Sequence, residues 1–167
     1  MQAQQIKIGI VTVSDRASRG EYEDLGGPAI REWFMQALSS PWQAVARVVP
    51  DEQSQIEALL CELADDDGCC LIVTTGGTGP AKRDVTPEAT RAVIETEVPG
   101  LSELMRAEGI RSTPLAVLSR AVAGVRKRKL IVNLPGSPRG ARESLDSIMK
   151  VLPHAIDQIQ GRTGHGE

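Results

Sequence analysis

Two aspartates and a run of glycines are the residues of this chain best placed to do chemistry. Asp51 directly follows one apolar segment; Gly76, Gly77 and Gly79 directly follow another, and Asp84 comes shortly after them. Glycines let the backbone approach a ligand closely, and their N–H groups can form a concave anion site. Two carboxylates beside a phosphate are a common protein contribution to a magnesium site. These residues predict an enzyme that holds a phosphate-bearing substrate, with Asp51 and Asp84 as catalytic residues and Mg²⁺ ligands.

Plainer interpretations of the same residues stay open. A lone aspartate is more often a turn or cap residue, and three glycines after a strand can serve only a tight turn. The glycine run is not a nucleotide-binding Walker loop, since no Lys-Ser or Lys-Thr pair ends it, nor is it a dinucleotide fingerprint. Lys82 and Arg83 either contact phosphates or are merely solvated, whereas Arg16 is better placed for a phosphate contact.

Alternating strands and helices should position these residues. Apolar periodicity predicts strands at 6–13, 44–49 and 69–75, and helices over 28–38, around 56–64, from Thr86 and over 101–110. Two antiparallel strands, 121–125 and 130–134, should flank a solvated turn over 126–129, and a final helix over 141–152 should break at Pro153. Thr86 is predicted as a helix N-cap, followed by Pro87 at the first helical position. The fold class is therefore three-layer α/β, a mostly parallel sheet with helices on both faces and a small antiparallel hairpin.

Ligands of such sheets bind beyond the carboxyl ends of the strands. The segments expected at that edge are 14–16 after the first strand, 50–52 after the second, the glycine run after the third and 133–137 after the last. Polar or glycine-rich residues thus meet at one edge, which is the geometry of an active site.

Bulk properties narrow the function further. The 167 residues suit a single domain over 1–160 with a flexible tail at 161–167. A net charge of −3 and only 2% aromatic residues argue against nucleic acid and membrane partners. No apolar run is long enough to span a bilayer, and no signal peptide is evident. Cys61, Cys69 and Cys70 form a poor disulfide framework, so we expect reduced thiols in the cytoplasm.

The motifs resemble the signature of the molybdopterin-binding MogA/MoaB family, with the closest likeness to its adenylyltransferases. The likeness rests on the segments 74–80 and 83–90, and it extends to 14–18, 50–52, 118–120, 133–137 and 152–157. It runs from about Ile6 to Ile159, which is nearly the whole chain.

The resemblance implies an activity and a set of site residues. ATP bound to Mg²⁺ would donate AMP to the terminal phosphate of molybdopterin, for later molybdate insertion by a separate insertase, and the assembly would be a homotrimer. The family's two essential aspartates fall on Asp51 and Asp84. Substrate-binding residues implied by the resemblance are Ser14, Asp15, Arg16, Thr75, Gly76, Gly77, Thr78, Gly79, Asn133, Pro135, Gly136 and Ser137.

Two further functions compete with adenylyl transfer. The chain would be a non-catalytic carrier of the MoaB type if it bound the pterin without turnover. It would be a nucleotide hydrolase if it consumed ATP without any pterin. The paired carboxylates favour the transferase, because a carrier has no need of them.

Overall fold

The computed structural model describes residues 5–162 and confirms the three-layer α/β fold. Of the predicted tail, residues 163–167 lie outside the described part. The strands are β1 (Ile6–Val13), β2 (Trp42–Val49), β3 (Leu71–Thr75), β4 (Thr96–Glu97), β5 (Ala123–Arg126) and β6 (Lys129–Leu134). The α-helices are α1 (Asp15–Ser18), α2 (Gly26–Ala37), α3 (Gln53–Cys61), α4 (Thr86–Val93), α5 (Pro99–Ile110), α6 (Pro138–Ile148) and α7 (Leu152–Ile159). A π-helical turn, Glu62–Asp66, extends α3, and a 3₁₀ helix spans Pro114–Leu118.

The six strands form one sheet in the order β2-β1-β3-β6-β5-β4. The first four run parallel, and β5 and β4 are antiparallel additions at one border. The register places Val13 beside Val49, and it aligns Thr75 with both Thr12 and Leu134. Four parallel strands therefore end at one level, and the chain leaves all of them at the same edge.

Side chains from the two faces of the sheet build two apolar cores. Ile10, Val73 and Val132 point into the core covered by α2, α5, α6 and α7. Val11, Ile72 and Ile131 point into the core covered by α3 and α4. This alternation follows from the two-residue period of a strand and explains why the central strands are apolar throughout.

Several predicted boundaries differ from the structure. The second helix begins at Gly26 and its following strand at Trp42, each two residues early, and the third strand begins only at Leu71. Pro153 does not break a helix: α6 ends at Ile148, and Pro153 lies in the first turn of α7, where a missing N–H costs nothing. The short elements α1 and β4 and the π turn carry too little periodicity to be predicted.

The basic hairpin is confirmed, but its turn is shorter than predicted, because Arg126 belongs to β5 and Lys129 to β6. Lys127 and Arg128 take positive φ values of 43° and 65°, as a tight two-residue turn requires. Arg126, by contrast, is not merely solvated. Its guanidinium donates to the Asp65 carboxylate at 2.8 Å and to the Val93 carbonyl at 2.9 Å, which fastens the hairpin to the π turn and α4. Within residues 5–162, no helix is long and apolar enough to cross a bilayer.

Asn133 joins four elements beneath the strand ends. Its fully buried carboxamide donates to Thr74 at 3.0 Å and to Thr90 at 2.9 Å, and it accepts from the Val122 backbone at 3.1 Å. The network links β6 to β3, to α4 and to the segment before β5. All of these groups are buried, so each depends on the others for its hydrogen bonds.

We expect Asn133→Ala to lower the free energy of unfolding by about 2–4 kcal/mol, because it leaves three buried polar groups without partners. Thermal or urea unfolding measures the change. The matched control is Gln53→Ala, which removes an exposed carboxamide bonded only to Glu57 and should cost less than about 0.5 kcal/mol. Equal stability of the two variants would show that the network contributes nothing net.

Candidate functional site

The glycine run forms a loop pressed between β1 and α4. Gly76 and Gly77 have φ values of 99° and 67°, in the left-handed region that favours glycine. A Cβ on Gly76 would lie 2.3 Å from the Val13 carbonyl oxygen, and one on Gly77 would lie 2.3 Å from Oγ1 of Thr86. Both backbone angle and space therefore exclude side chains, so the loop presents bare backbone at the sheet edge.

Thr86 holds this loop in place. The sequence predicted Thr86 as the N-cap of α4, but its side chain does not cap the helix. The N-cap position is Val85. The Thr86 hydroxyl donates to the Gly76 carbonyl at 3.0 Å, and its backbone N–H donates to the Gly77 carbonyl at 3.1 Å. The hydroxyl thus bonds a residue ten positions earlier in the chain, a contact that local rules for helix capping do not predict.

A second loop, 135–137, is fastened beside the glycines. The Thr75 hydroxyl donates to the Pro135 carbonyl at 2.6 Å, and a Cβ on Gly136 would lie 3.4 Å from the Cα of Gly76. Ser137 caps α6 by accepting from the Gly140 backbone at 3.0 Å. Ser14 caps the short α1 in the same way, accepting from Ala17 at 3.2 Å. Both serine hydroxyls thus have structural roles.

Asp51 and Asp15 hold one another through their backbones. The Asp15 N–H donates to Oδ2 of Asp51 at 2.9 Å, and the Asp51 N–H donates to Oδ1 of Asp15 at 3.0 Å. Oδ1 of Asp51 faces the glycine loop, 3.2 Å from where a Cβ of Gly77 would stand. One oxygen of Asp51 is therefore fixed by the Asp15 backbone while the other is directed at the loop.

Arg83 neutralises one member of this pair. Its guanidinium donates to both oxygens of Asp15 at 2.9 Å and to Glu52 at 3.1 Å, so Arg83 is neither free in solvent nor available to a phosphate in this arrangement. Burial raises the pKa of Asp15, but the hydrogen bonds from Arg83 and the Asp51 backbone outweigh burial and hold the pKa below its usual value. Asp15 is a carboxylate whose acceptors are already engaged.

The pKa of Asp51 is shifted in the opposite direction, above its usual value. Burial raises its pKa, and the negative charges of Asp15 and Asp84 raise it further, although the backbone N–H of Asp15 opposes them. The charge of Asp84 acts on Asp51, so the two carboxylates share one locality. Such a group gains from a nearby cation, because its own charge is poorly compensated.

Asp84 faces the other side of the glycine loop. A Cβ on Gly79 would lie 2.9 Å from Oδ2 of Asp84, and the same oxygen accepts from the Ala81 backbone at 3.0 Å. Asp51 and Asp84 therefore flank the loop, one beside Gly77 and one beside Gly79. In the part of the chain described, no three His, Cys, Asp or Glu side chains form a metal cage. The donor set fits a hard cation that takes the rest of its shell from water and ligand oxygens.

Arg120 clamps this segment and was not among the predicted site residues. Its guanidinium donates to the carbonyls of Gly79 at 2.9 Å and Asp84 at 2.8 Å, and it pairs with Glu88. Its backbone N–H donates to the Thr78 carbonyl at 2.8 Å. The sequence showed Arg120 only as part of a matching motif, because no spacing rule connects it to a loop so far back along the chain.

A cavity of about 500 Å³ opens from the glycine loop towards α5 and the 3₁₀ helix. Eight predicted site residues line it, together with residues of α5, α6 and the 3₁₀ helix that the sequence did not single out. The eight are Gly77, Thr78, Gly79, Asp84, Asn133, Pro135, Gly136 and Ser137. Asn133 is 0% exposed with its carboxamide fully engaged, so it forms the floor and supports the site from beneath.

Of the other predicted residues, Thr75 ends β3 and Gly76 belongs to the loop itself, and the rest lie around Asp51. Ser14, Asp15 and Arg16 stand at the end of β1, beside Asp51 and outside the lining of the cavity. Arg16 is exposed on α1. The structure thus divides the predicted set into a charged side around Asp51 and a mainly apolar cavity around Asp84, with Gly77 in contact with both.

The fold and the glycine loop are shared with a known protein family. The sequence model described as "Probable molybdopterin binding domain" matches residues 9–154, and the chain belongs to that family. It is 51% identical to the molybdopterin adenylyltransferase of Escherichia coli K12 over 155 residues, covering 90% of this chain and 80% of that protein. It is 52% identical to the molybdopterin adenylyltransferase of Haemophilus influenzae over 168 residues, covering 93% of this chain and 85% of that protein.

Solved structures of related proteins support the same family assignment. The molybdopterin biosynthesis enzyme MoaB from Thermus thermophilus superposes with a TM-score of 0.86 at 53% identity, covering 94% of this chain and 98% of that one. A MogA structure superposes with a TM-score of 0.84 at 43% identity, covering 92% and 99%. The family resemblance seen in the sequence is confirmed.

Replacing Arg120 by alanine should loosen the segment 78–84 without unfolding the sheet. We expect backbone amides of Asp84 and Thr86 to exchange with deuterium at least about tenfold faster. The reason is that the carbonyls of Gly79 and Asp84 lose the guanidinium that holds them. Amides of β3 should keep their rates. The control is Arg111→Ala, which removes an exposed arginine paired only with Glu108. Unchanged exchange at Asp84 and Thr86 would contradict the clamp.

The raised pKa of Asp51 predicts a pH-dependent stability. The pKa of Asp51 is higher in the folded state than in the unfolded state, so folding favours the protonated carboxyl. Asp51 therefore contributes to folding stability at low pH, and this contribution is lost as the pH rises through the folded-state pKa. Asp51→Asn should therefore unfold at a higher denaturant concentration than wild type at neutral pH without metal. This advantage should vanish below pH 3.8, the ordinary aspartate value.

Asp65→Asn supplies a control of opposite sign. The hydrogen bonds from Arg126 lower the pKa of Asp65, so this variant should be less stable than wild type at neutral pH and equal to it in acid. Denaturant titrations across the pH range measure both. An Asp51→Asn variant that follows the Asp65→Asn trend would refute the electrostatic account of the site.

Proposed function

We propose that this chain transfers AMP from ATP to the terminal phosphate of molybdopterin, releasing pyrophosphate, in molybdenum cofactor biosynthesis. Membership of the family and about 50% identity to two molybdopterin adenylyltransferases support this activity. The observation that carries it is geometric: Asp51 and Asp84 flank a bare backbone loop whose glycines exclude side chains. Such an arrangement suits a phosphate chain and its counter-ion.

We assign the residues to roles along that chain. Backbone N–H groups around Gly76, Gly77, Thr78 and Gly79 would receive phosphate oxygens, as glycine-rich loops do elsewhere. Loop 135–137 would close one side of the cavity. Ser14, Asp15 and Arg16 would border the charged side, where Arg16 is exposed and able to reach a phosphate.

Asp51 and Asp84 would hold Mg²⁺. The fit rests on two points. Burial, and then the charges of Asp15 and Asp84, raise the pKa of Asp51. Both side chains also offer the oxygen donors that magnesium prefers. When bound, the metal would supply neutralisation of phosphate charge and alignment of phosphate oxygens.

The remaining catalysis would come from alignment by this chain. A phosphate oxygen of molybdopterin attacks the α-phosphorus of ATP, a new P–O bond forms, and the bond to the β-phosphate bridging oxygen breaks. A phosphate is a sufficient nucleophile, so no side chain need be activated as one. The loop clamped by Thr86 and Arg120 would keep acceptor and donor in line, with little reorganisation during the reaction.

We also propose a cytoplasmic homotrimer that passes its product to a molybdenum insertase. The free thiols of Cys61, Cys69 and Cys70 suit a reducing compartment. Leu115, Val117 and Leu118 are 50–69% exposed on the 3₁₀ helix, and such a patch suits a subunit or partner contact. Sedimentation velocity would measure the assembly.

The direct test supplies ATP, Mg²⁺ and molybdopterin, and follows pyrophosphate and the adenylylated pterin. Product formation that needs all three supports the transferase. Pterin binding without pyrophosphate under any divalent metal would indicate a carrier, and pyrophosphate or phosphate release without pterin would indicate a hydrolase.

Asp84→Asn should reduce turnover by about a hundredfold or more while molybdopterin still binds. Asparagine keeps an oxygen for the Ala81 N–H and so preserves the loop, but it removes the charge that would hold the metal. Initial rates and equilibrium titrations measure the two effects. The control is Asp66→Asn, an exposed carboxylate just before β3 at the opposite edge of the sheet. Full activity of Asp84→Asn would remove Asp84 from the mechanism.

A further inference from the structure

The cavity that opens from the glycine loop continues well beyond the phosphate-binding backbone. Its volume of about 500 Å³ lies in the range of small-molecule sites. Beyond the loop, its walls are largely apolar and come from Met105 on α5, Leu115 and Leu118 on the 3₁₀ helix, and Ala121. Apolar walls of this kind suit a flat ring system attached to a phosphate.

Ser102 is the anomaly of this cavity. It lies on α5 with 2% of its surface exposed, it lines the cavity, and its hydroxyl has no hydrogen-bond partner among residues 5–162. A serine inside a helix ordinarily donates back to a carbonyl one turn earlier, but Ser102 does not. Burying an unpaired hydroxyl is unfavourable, and most buried polar groups are paired. A ligand atom would supply the missing partner.

Neighbouring groups give the cavity a fixed shape around Ser102. The Arg106 guanidinium, one turn further along α5, donates to the Ala121 carbonyl at 3.1 Å and fixes the segment that leads into β5. Ser144 of α6 is a second buried serine of the same lining. Ser102 therefore lies on a helix that forms one wall of a preformed space.

We propose that Ser102 is a specificity-determining residue, whose hydroxyl hydrogen-bonds a polar edge atom of a substrate's nitrogen heterocycle in this cavity. The inference rests on the proposed function, which provides two such rings, the pterin and the adenine. Both carry donors and acceptors on their edges, so a hydroxyl, which can donate and accept, suits either. The proposal requires that one of the two rings binds in this cavity and that the other binds elsewhere.

Separate calorimetric titrations with molybdopterin and with magnesium-ATP test this inference on Ser102→Ala. We expect the dissociation constant of one ligand to rise about fivefold and that of the other to stay unchanged, since one neutral hydrogen bond is lost. The ligand that weakens identifies the ring in the cavity. The matched control is Ser147→Ala, which removes a hydroxyl of α6 that is bonded to the Ser144 carbonyl and lies outside the cavity lining.

A purely structural role predicts different results. Thermal unfolding of the ligand-free variant should show equal or higher stability than wild type, because an unsatisfied hydroxyl has been removed and alanine favours the helix. A lower midpoint would reveal a structural partner and overturn the inference. Unchanged binding of both ligands, or equal weakening of both, would overturn it as well.

The titrations separate this inference from the proposed function. A wild-type protein that binds both ligands but releases no pyrophosphate would refute adenylyl transfer while the effect of Ser102→Ala on binding still decides the role of Ser102. An active wild type with an unaffected variant would refute only the role of Ser102. A wild type that binds neither ligand would overturn both.

Discussion

The contact between the glycine loop and the end of β1 constrains everything else at this site. Gly76 passes so close to the Val13 carbonyl that no side chain fits, and Gly77 lies equally close to the Thr86 hydroxyl. This closeness requires the parallel register that ends β1, β2, β3 and β6 at one level. The sheet therefore determines where the loop runs, and the loop determines which side each carboxylate faces.

Charge at the site is compensated on one flank and left uncompensated on the other. Arg83 binds Asp15 and Glu52, and that pairing holds the first carboxylate in its ionised form. Asp51 accepts a backbone N–H, and the charge of Arg83 also lowers its pKa, but burial and the charges of Asp15 and Asp84 raise that pKa by more. A protein that paired every carboxylate would be more stable without ligand but would have no uncompensated charge for a cation. Under the proposed function, this imbalance is a stability cost that serves cation binding.

Much of this arrangement could be predicted from sequence, and the remainder could not, for physical reasons. Apolar runs predicted the central strands, and the rule that ligands bind at the carboxyl edge predicted that Asp51 and Asp84 lie at the same edge of the sheet. The observed roles of Arg120 and Thr86 were not predicted, because they depend on long-range contacts. Arg120 donates to backbone carbonyls of the loop segment, and the Thr86 hydroxyl donates to the Gly76 carbonyl. Ser102 was not singled out either, because a hydroxyl without a partner within residues 5–162 leaves no pattern in the sequence. No periodicity encodes such contacts.

The two borders of the sheet differ in how they meet other chains. β4 offers only two residues, and its Glu97 pairs with Arg91, so little backbone is open to a neighbour there. β2 offers eight residues along the opposite border, where Arg47 reaches back to the Ala46 carbonyl at 3.0 Å. A positive charge held on an edge strand discourages another strand from adding. The short length of β4 at one border and the charge of Arg47 on β2 at the other both oppose the addition of further strands. These features disfavour aggregation through strand addition.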